Sequence, residues 1–197
     1  MFALVQDGSI TKMISGNRGI TLGDIQYPRS IFSLWSASEK EAIGIYEVVF
    51  NNTNKKDEKW YTNTNQSFDF ADGVVTASYG SSTAKAHADT LFTAQDESDG
   101  LGTEGEVATR GLKYNLIRTV KSQAAGELVR TDWYIVRKAD AGTAVPSAIT
   151  THRAAVRTKC AEQETLITNA SDTPALETLY TRNDSGVRPL GELPILE

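Results

Sequence analysis

The residues closest to a recognisable chemistry are Gly100-Leu101-Gly102-Thr103-Glu104-Gly105, with the G-x-G-x-x-G spacing. That spacing serves a pyrophosphate only when a hydrophobic strand leads into it, because strand and following helix together aim backbone N–H groups at the phosphates. Here the lead-in is Ala94-Gln95-Asp96-Glu97-Ser98-Asp99, whose three carboxylates would repel phosphate. The glycines therefore read as a hinge between two halves of the chain. The same acids lack the set carboxylate spacing and terminal bidentate glutamate of a calcium loop, so they read as a solvated acidic loop. His87 and His152 are the only histidines, and neither has a ligand-type partner four residues away, as a zinc pair on a helix needs. No G-x-S-x-G elbow offers a nucleophile. Cys160, the only cysteine, excludes an internal disulfide and reads as a small buried residue. Trp35, Trp60 and Trp133 suit core or interface packing better than a stacking platform. No catalytic constellation emerges, and no cofactor or metal is expected.

The elements that would carry these residues fall into two kinds. In the front half, Asp7-Gly8 separates Phe2-Ala3-Leu4-Val5 from Ile10-Thr11-Lys12-Met13-Ile14, and Asp72-Gly73 separates Phe68-Asp69-Phe70 from Val74 to Tyr79. Asp-Gly between apolar runs predicts a hairpin, since glycine tolerates the positive φ of the tight turn. Ile45 to Phe50 is β-branched and aromatic and predicts a further strand, with Lys59 to Thr62 a possible one. Ser38 to Ala42 predicts a helical turn capped by Ser36 or Ser38. Asn51 to Asp57 predicts a loop.

Near Thr103 the period changes. Val107, Leu112, Leu116, Val120, Ala124 and Leu128 recur every four or five residues and predict a helix over about 104–130, with Arg110, Lys113, Arg118 and Lys121 opposite. Asp132 to Lys138 predicts a short helix or extension. Pro146 suits the first turn of another helix reaching about Asn169, with Ile149, Val156, Cys160, Gln163 and Ile167 on one side. Ser171 or Asp172 caps a last helix over 174–181. The expected fold class is α+β: a mostly antiparallel β unit over 1–99, a helical hairpin or bundle over 100–182, and an extended tail over 183–197. In that tail Leu190 and Leu193 are candidate anchors on a neighbouring chain, against a frayed terminus.

The chain has 197 residues, 20 Lys+Arg and 25 Asp+Glu, giving a net charge of −5. A general nucleic-acid binder carries a basic excess, so that class is disfavoured. Residues 104–168 alone are mildly basic, with ten Lys/Arg against seven Asp/Glu. This reads as scatter on solvated faces or as a surface for an acidic partner. Mean hydropathy is −0.33. No apolar run approaches the roughly 20 residues a bilayer span needs, and no basic-then-apolar leader opens the chain.

Leu128-Val129-Arg130-Thr131-Asp132-Trp133-Tyr134, then Val145-Pro146 and Ile149, then Arg153-Ala154-Ala155-Val156-Arg157, carry a resemblance. In order, they resemble a segment of the tail-fibre assembly, or tail assembly chaperone-like, proteins of tailed bacteriophages. The resemblance covers about residues 104–182. That family's proline-rich front end has no counterpart here. The resemblance implies a non-enzymatic protein of the phage virion tail, or of the host cytoplasm during assembly. It would bind tail or tail-fibre subunits as an assembly factor, with a permanent tail, fibre-adaptor or baseplate component as the alternative. It would belong to an oligomer or larger assembly. Physically, Thr131 or Asp132 can accept N–H bonds at a helix start, and Trp133 can cover the seam between two helices. Arg153 and Arg157, four apart, share a face and can meet Asp132 or Glu127 within the chain, or a partner's acids. The partner-binding candidates are Trp133, Tyr134, Arg153, Arg157, Leu190 and Leu193.

Overall fold

The structure, a computed structural model, describes residues 1–64 and 66–196. Contacts divide the chain into two compact units, Met1–Thr83 and Ala84–Glu197.

The first unit is built on two tight turns. At Asp7-Gly8 both φ values are positive (50° and 74°), and Asp72-Gly73 repeats this (50° and 77°). The first turn joins β1 (Phe2–Gln6) to β2 (Ser9–Ile14). A small hairpin, β3 (Ile20–Leu22) and β4 (Ile25–Tyr27), leads to two short helices, α1 (Ile31–Leu34) and α2 (Ala37–Glu41). Ser36 starts α2: its Oγ accepts from Glu39 N–H, and the Glu39 carboxylate accepts from Ser36 N–H at 2.8 Å. Then come β5 (Ile45–Asn51), β6 (Tyr61–Thr62), β7 (Ser67–Ala71) and β8 (Val74–Ser78), the last two joined by the second turn. β9 (Thr83–Ala84), paired with β6, stands where the unit ends.

The main sheet has the order β2-β1-β5-β8-β7. It is antiparallel except for β5 and β8, which run parallel with Val48 opposite Val75. A parallel pair needs a long return connection, and residues 52–73 supply it. β7 comes back towards β2, so the sheet curls. β1 lies inside the sheet, and its alternate side chains serve different cores. Phe2 and Leu4 pack with Ile14, Ile31 and Ile45 under α1 and the β3–β4 hairpin. Ala3 and Val5 pack with Val48, Val75 and Ala77 within the curl. A continuous apolar run was therefore the right pattern for a strand buried on both faces.

The second unit begins with a hook: β10 (Thr90–Leu91), α3 (Ala94–Ser98) and β11 (Val107–Thr109), which pairs back onto β10. Four helices follow: α4 (Leu112–Val129), α5 (Asp132–Ala141), α6 (Ser147–Asn169) and α7 (Thr173–Tyr180). α4 packs on α6, and α7 on α6. The core is made by Leu116, Val120 and Ala124 of α4, Ile149, Val156 and Ile167 of α6, and Leu176 of α7. Asp172 caps α7 through Ala175 N–H at 2.8 Å. The protein is α+β.

Three expectations need correction. The helix expected from 104 starts at Leu112, and Val107 belongs to a strand. The cause is non-local. Asp89 accepts the Gly111 N–H at 2.8 Å, and the carbonyls of Ala86 and His87 accept from Leu112 and Lys113. These fill the amides that a helix start leaves open. The boundary expected at 99/100 thus differs from the division at 83/84, because residues 84–111 are tied to the start of α4. The tail expected to be extended folds back instead: Leu190 N–H donates to Leu179 O, and Leu190 is only 2% exposed. Glu197 lies outside the described residues.

Candidate protein-docking surface

The turn between α4 and α5 is set by an arginine from another helix. Arg153 of α6 is 7% exposed, and its Nη1 lies 2.7 Å from the Leu128 carbonyl, 2.7 Å from Thr131 Oγ1 and 2.8 Å from Asp132 Oδ1. Thr131, buried at the corner, donates its own hydroxyl hydrogen bond to Leu128 O at 2.9 Å. Thr131 or Asp132 was expected to accept a helix-start N–H; Thr131 stands at the cap position, and its side chain makes no such bond. The reason is that Oγ1 is already engaged with Leu128 and Arg153. Of the two acids open to Arg153, the structure selects Asp132. Glu127 instead lies 3.4 Å from Arg130. Arg153 is thus a structural tie, and the expectation that it faces a partner is corrected.

Beyond that corner, α5 runs for ten residues and buries none of them. Trp133 is 53% exposed, with Ile135 and Val136 exposed as well. Trp133 does not cover the helix seam: the corner held by Arg153 directs it to solvent. Trp133 and Val136, three residues apart, share a helix face, and Arg137 adjoins them. The Trp133 and Tyr134 ring centroids are 4.0 Å apart, and the Arg137 guanidinium lies 4.6 Å from the Trp133 ring centre and 5.5 Å from that of Tyr134. This stack stiffens two side chains that would otherwise sample several rotamers. Gly142, at φ 67°, ends the helix with its N–H on Lys138 O.

The other candidates are dispersed. Arg157 is exposed, touches Arg153 O at 3.5 Å, and makes no ion pair among the described residues. Leu190 is buried against its own helices, so it is not an anchor for a neighbour. Leu193, partly buried, lines a cavity of about 530 Å³ in the second unit. Sequence reasoning missed Val136 and Arg137, although an arginine four residues after a tryptophan on a helix was a readable signal. It also missed Gln163, placed in the apolar stripe without regard to its amide.

The residues read for other chemistry take structural places. Gly100 and Gly105 have positive φ, and a Cβ at Gly102 would lie 2.4 Å from the Phe92 ring. The acids before them make local bonds: Asp96 closes a capping box with Thr93, and Glu97 accepts the Glu104 N–H at 3.0 Å. This segment is a short capped helix rather than an open acidic loop or a hinge. His152 is buried on α6. Cys160 is partly buried, and burial together with the Glu164 carboxylate pushes its thiol above the ordinary range. Among the described residues, no three His, Cys, Asp or Glu side chains gather as metal ligands, and no helix is long and apolar enough to cross a membrane. No protein-family model matches the chain, and neither a curated protein nor a solved structure matches it.

Proposed function

We propose that this protein works by binding another polypeptide through α5, and that its partner is a tail or tail-fibre subunit of a bacteriophage. The observation that carries the binding reading is α5 itself: ten residues, none buried, presenting Trp133, Ile135 and Val136 to solvent. Trp133 and Val136 share one face of α5, stiffened by Arg137, while Ile135 lies on the other side of the helix; that shared face supports an interaction site. The phage setting rests on the resemblance of residues 128–157 to tail-fibre assembly proteins.

Covering the exposed parts of Trp133 and Val136 would remove on the order of 200 Å² of apolar surface from water, about 5 kcal/mol. Association costs about 4–15 kcal/mol. The α5 face therefore acts as the centre of a larger interface, in the way that a few aromatic residues dominate binding elsewhere.

The test is co-expression with tail and tail-fibre subunits of tailed bacteriophages. The wild type is expected to co-purify with one of them, and Trp133→Ala combined with Val136→Asp is expected to abolish that while leaving the circular dichroism spectrum unchanged. Retention by the double variant would displace the docking surface, and failure of every tail subunit to co-purify would remove the phage reading. Mass spectrometry of purified virions then distinguishes a retained subunit from an assembly factor that departs.

A further inference from the structure

On α5 the apolar surface is joined to a charge. The Arg137 guanidinium lies 4.6 Å from the Trp133 ring centre and 5.5 Å from that of Tyr134, so the rings shield part of it from water. Its Nε has no accessible surface and no hydrogen-bond partner, whereas Nη1 and Nη2 are not closed off in this way. No acid of the chain answers this charge among the described residues. Asp132 is held by Arg153 at 2.8 Å, Glu127 faces Arg130, and Asp140, three residues further along α5, makes no ion pair.

That charge constrains whatever covers the helix. Arg137 follows Trp133 by four residues and lies against its ring, so a segment that covers Trp133 and Val136 covers the guanidinium as well. A guanidinium that loses its remaining water without gaining an acceptor is a strongly unfavourable buried charge. The acceptor must therefore come from the partner. With Nε shut in, the approach left open is end-on, to Nη1 and Nη2, and a carboxylate is the planar two-oxygen group that matches that fork. A phosphate fits the fork too, but a phosphate polymer is held by many cations together, and the chain is −5 overall.

We infer that the polypeptide segment docked on α5 carries an aspartate or glutamate beside its apolar anchor, and that Arg137 receives this carboxylate end-on. The inference rests on the docking role proposed for α5 and adds the chemistry of the occupant. Four residues of helix rise about 6 Å from Trp133 to Arg137. The acid therefore stands three or four residues from the anchor if the partner segment is a helix, and two residues from it if the segment is extended.

A displayed library of random dodecapeptides, selected on the full-length protein, tests it. The wild type is expected to enrich peptides with an aromatic or aliphatic residue and an acid at one of those spacings, and Trp133→Ala is expected to lose them. For a selected peptide, Arg137→Gln should raise Kd at least about tenfold, with Arg137→Lys between the two because an ammonium keeps the charge and gives up the fork. Replacing the peptide's acid by its amide should cost the wild type a similar factor and cost Arg137→Gln nothing, so that the four affinities show one coupled pair. Peptides that depend on Trp133 but carry no acid, or four affinities without coupling, overturn the inference and leave α5 as a docking surface. A selection that enriches nothing dependent on Trp133 removes the docking surface and the inference together. Binding of an oligothymidylate that Arg137→Gln abolishes would assign the fork to phosphate and overturn the carboxylate.

Discussion

Truncating a half-exposed tryptophan and a buried arginine have different consequences, and residues 128–153 contain both. Trp133→Ala is expected to cost less than about 1 kcal/mol of stability, because little burial is lost. Arg153→Ala is expected to cost about 2–4 kcal/mol, since it leaves the Leu128 carbonyl and Thr131 hydroxyl without their shared donor. Urea denaturation read beside the co-purification assay separates the two: the first variant loses the partner and keeps its fold, and the second loses stability first. Asp89 gives a pH dependence. The Gly111 N–H, and next the Arg110 guanidinium, hold its carboxyl below the ordinary value of 3.8. A carboxyl depressed on folding adds stability that is complete above the unfolded value and fades as pH falls through the folded one. The stability gap between wild type and Asp89→Asn should therefore be widest near neutrality and close as pH drops below 3.8. At this scale the sequence was legible where contacts are local. The Ser36 and Asp172 caps and the Asp-Gly turns follow from neighbours within three residues. The exposure of Trp133 was not legible, because it depends on an arginine 20 positions on that fixes the direction of α5.

The elements show the same division. The stripe over 112–128 marks α4 correctly, and Val107 continued it only because a spacing of five suits a helix as well as a turn into one. What stops the helix at Gly111 is Asp89, 22 residues earlier, which no local period reports. Two glycine substitutions on α4 should then behave oppositely. Gly126→Ala, in the last turn of α4 with open space at the Cβ, is expected to stabilise by up to about 1 kcal/mol. Gly111→Ala would place a Cβ 2.2 Å from Ala88 O and should destabilise, since backbone must move. Thermal melts of both variants check the pair, and a gain from Gly111→Ala would refute the account of the helix start.

At the scale of the whole chain, each unit has its own core, and the division falls at residues 83/84. Residues 84–197 expressed alone are expected to retain helical circular dichroism and to melt cooperatively. A piece beginning at residue 100 should be less stable, because it loses Asp89 and the carbonyls of Ala86 and His87 that hold α4 at its start. The α+β class was readable from the change of period near Thr103. The parallel pairing of β5 with β8 was not, because strand runs do not say which distant run they join.

The fastening of the α4–α5 corner by Arg153 has a kinetic corollary. Under the docking role proposed for α5, a helix whose angle is already set would meet its partner without first searching for an orientation, so encounter should proceed at the speed of rigid surfaces, about 10⁵–10⁷ M⁻¹s⁻¹, with affinity decided by how slowly the complex parts. Loosening the corner with Arg153→Lys, which keeps the charge but gives up the planar fork, should slow capture more than it hastens release.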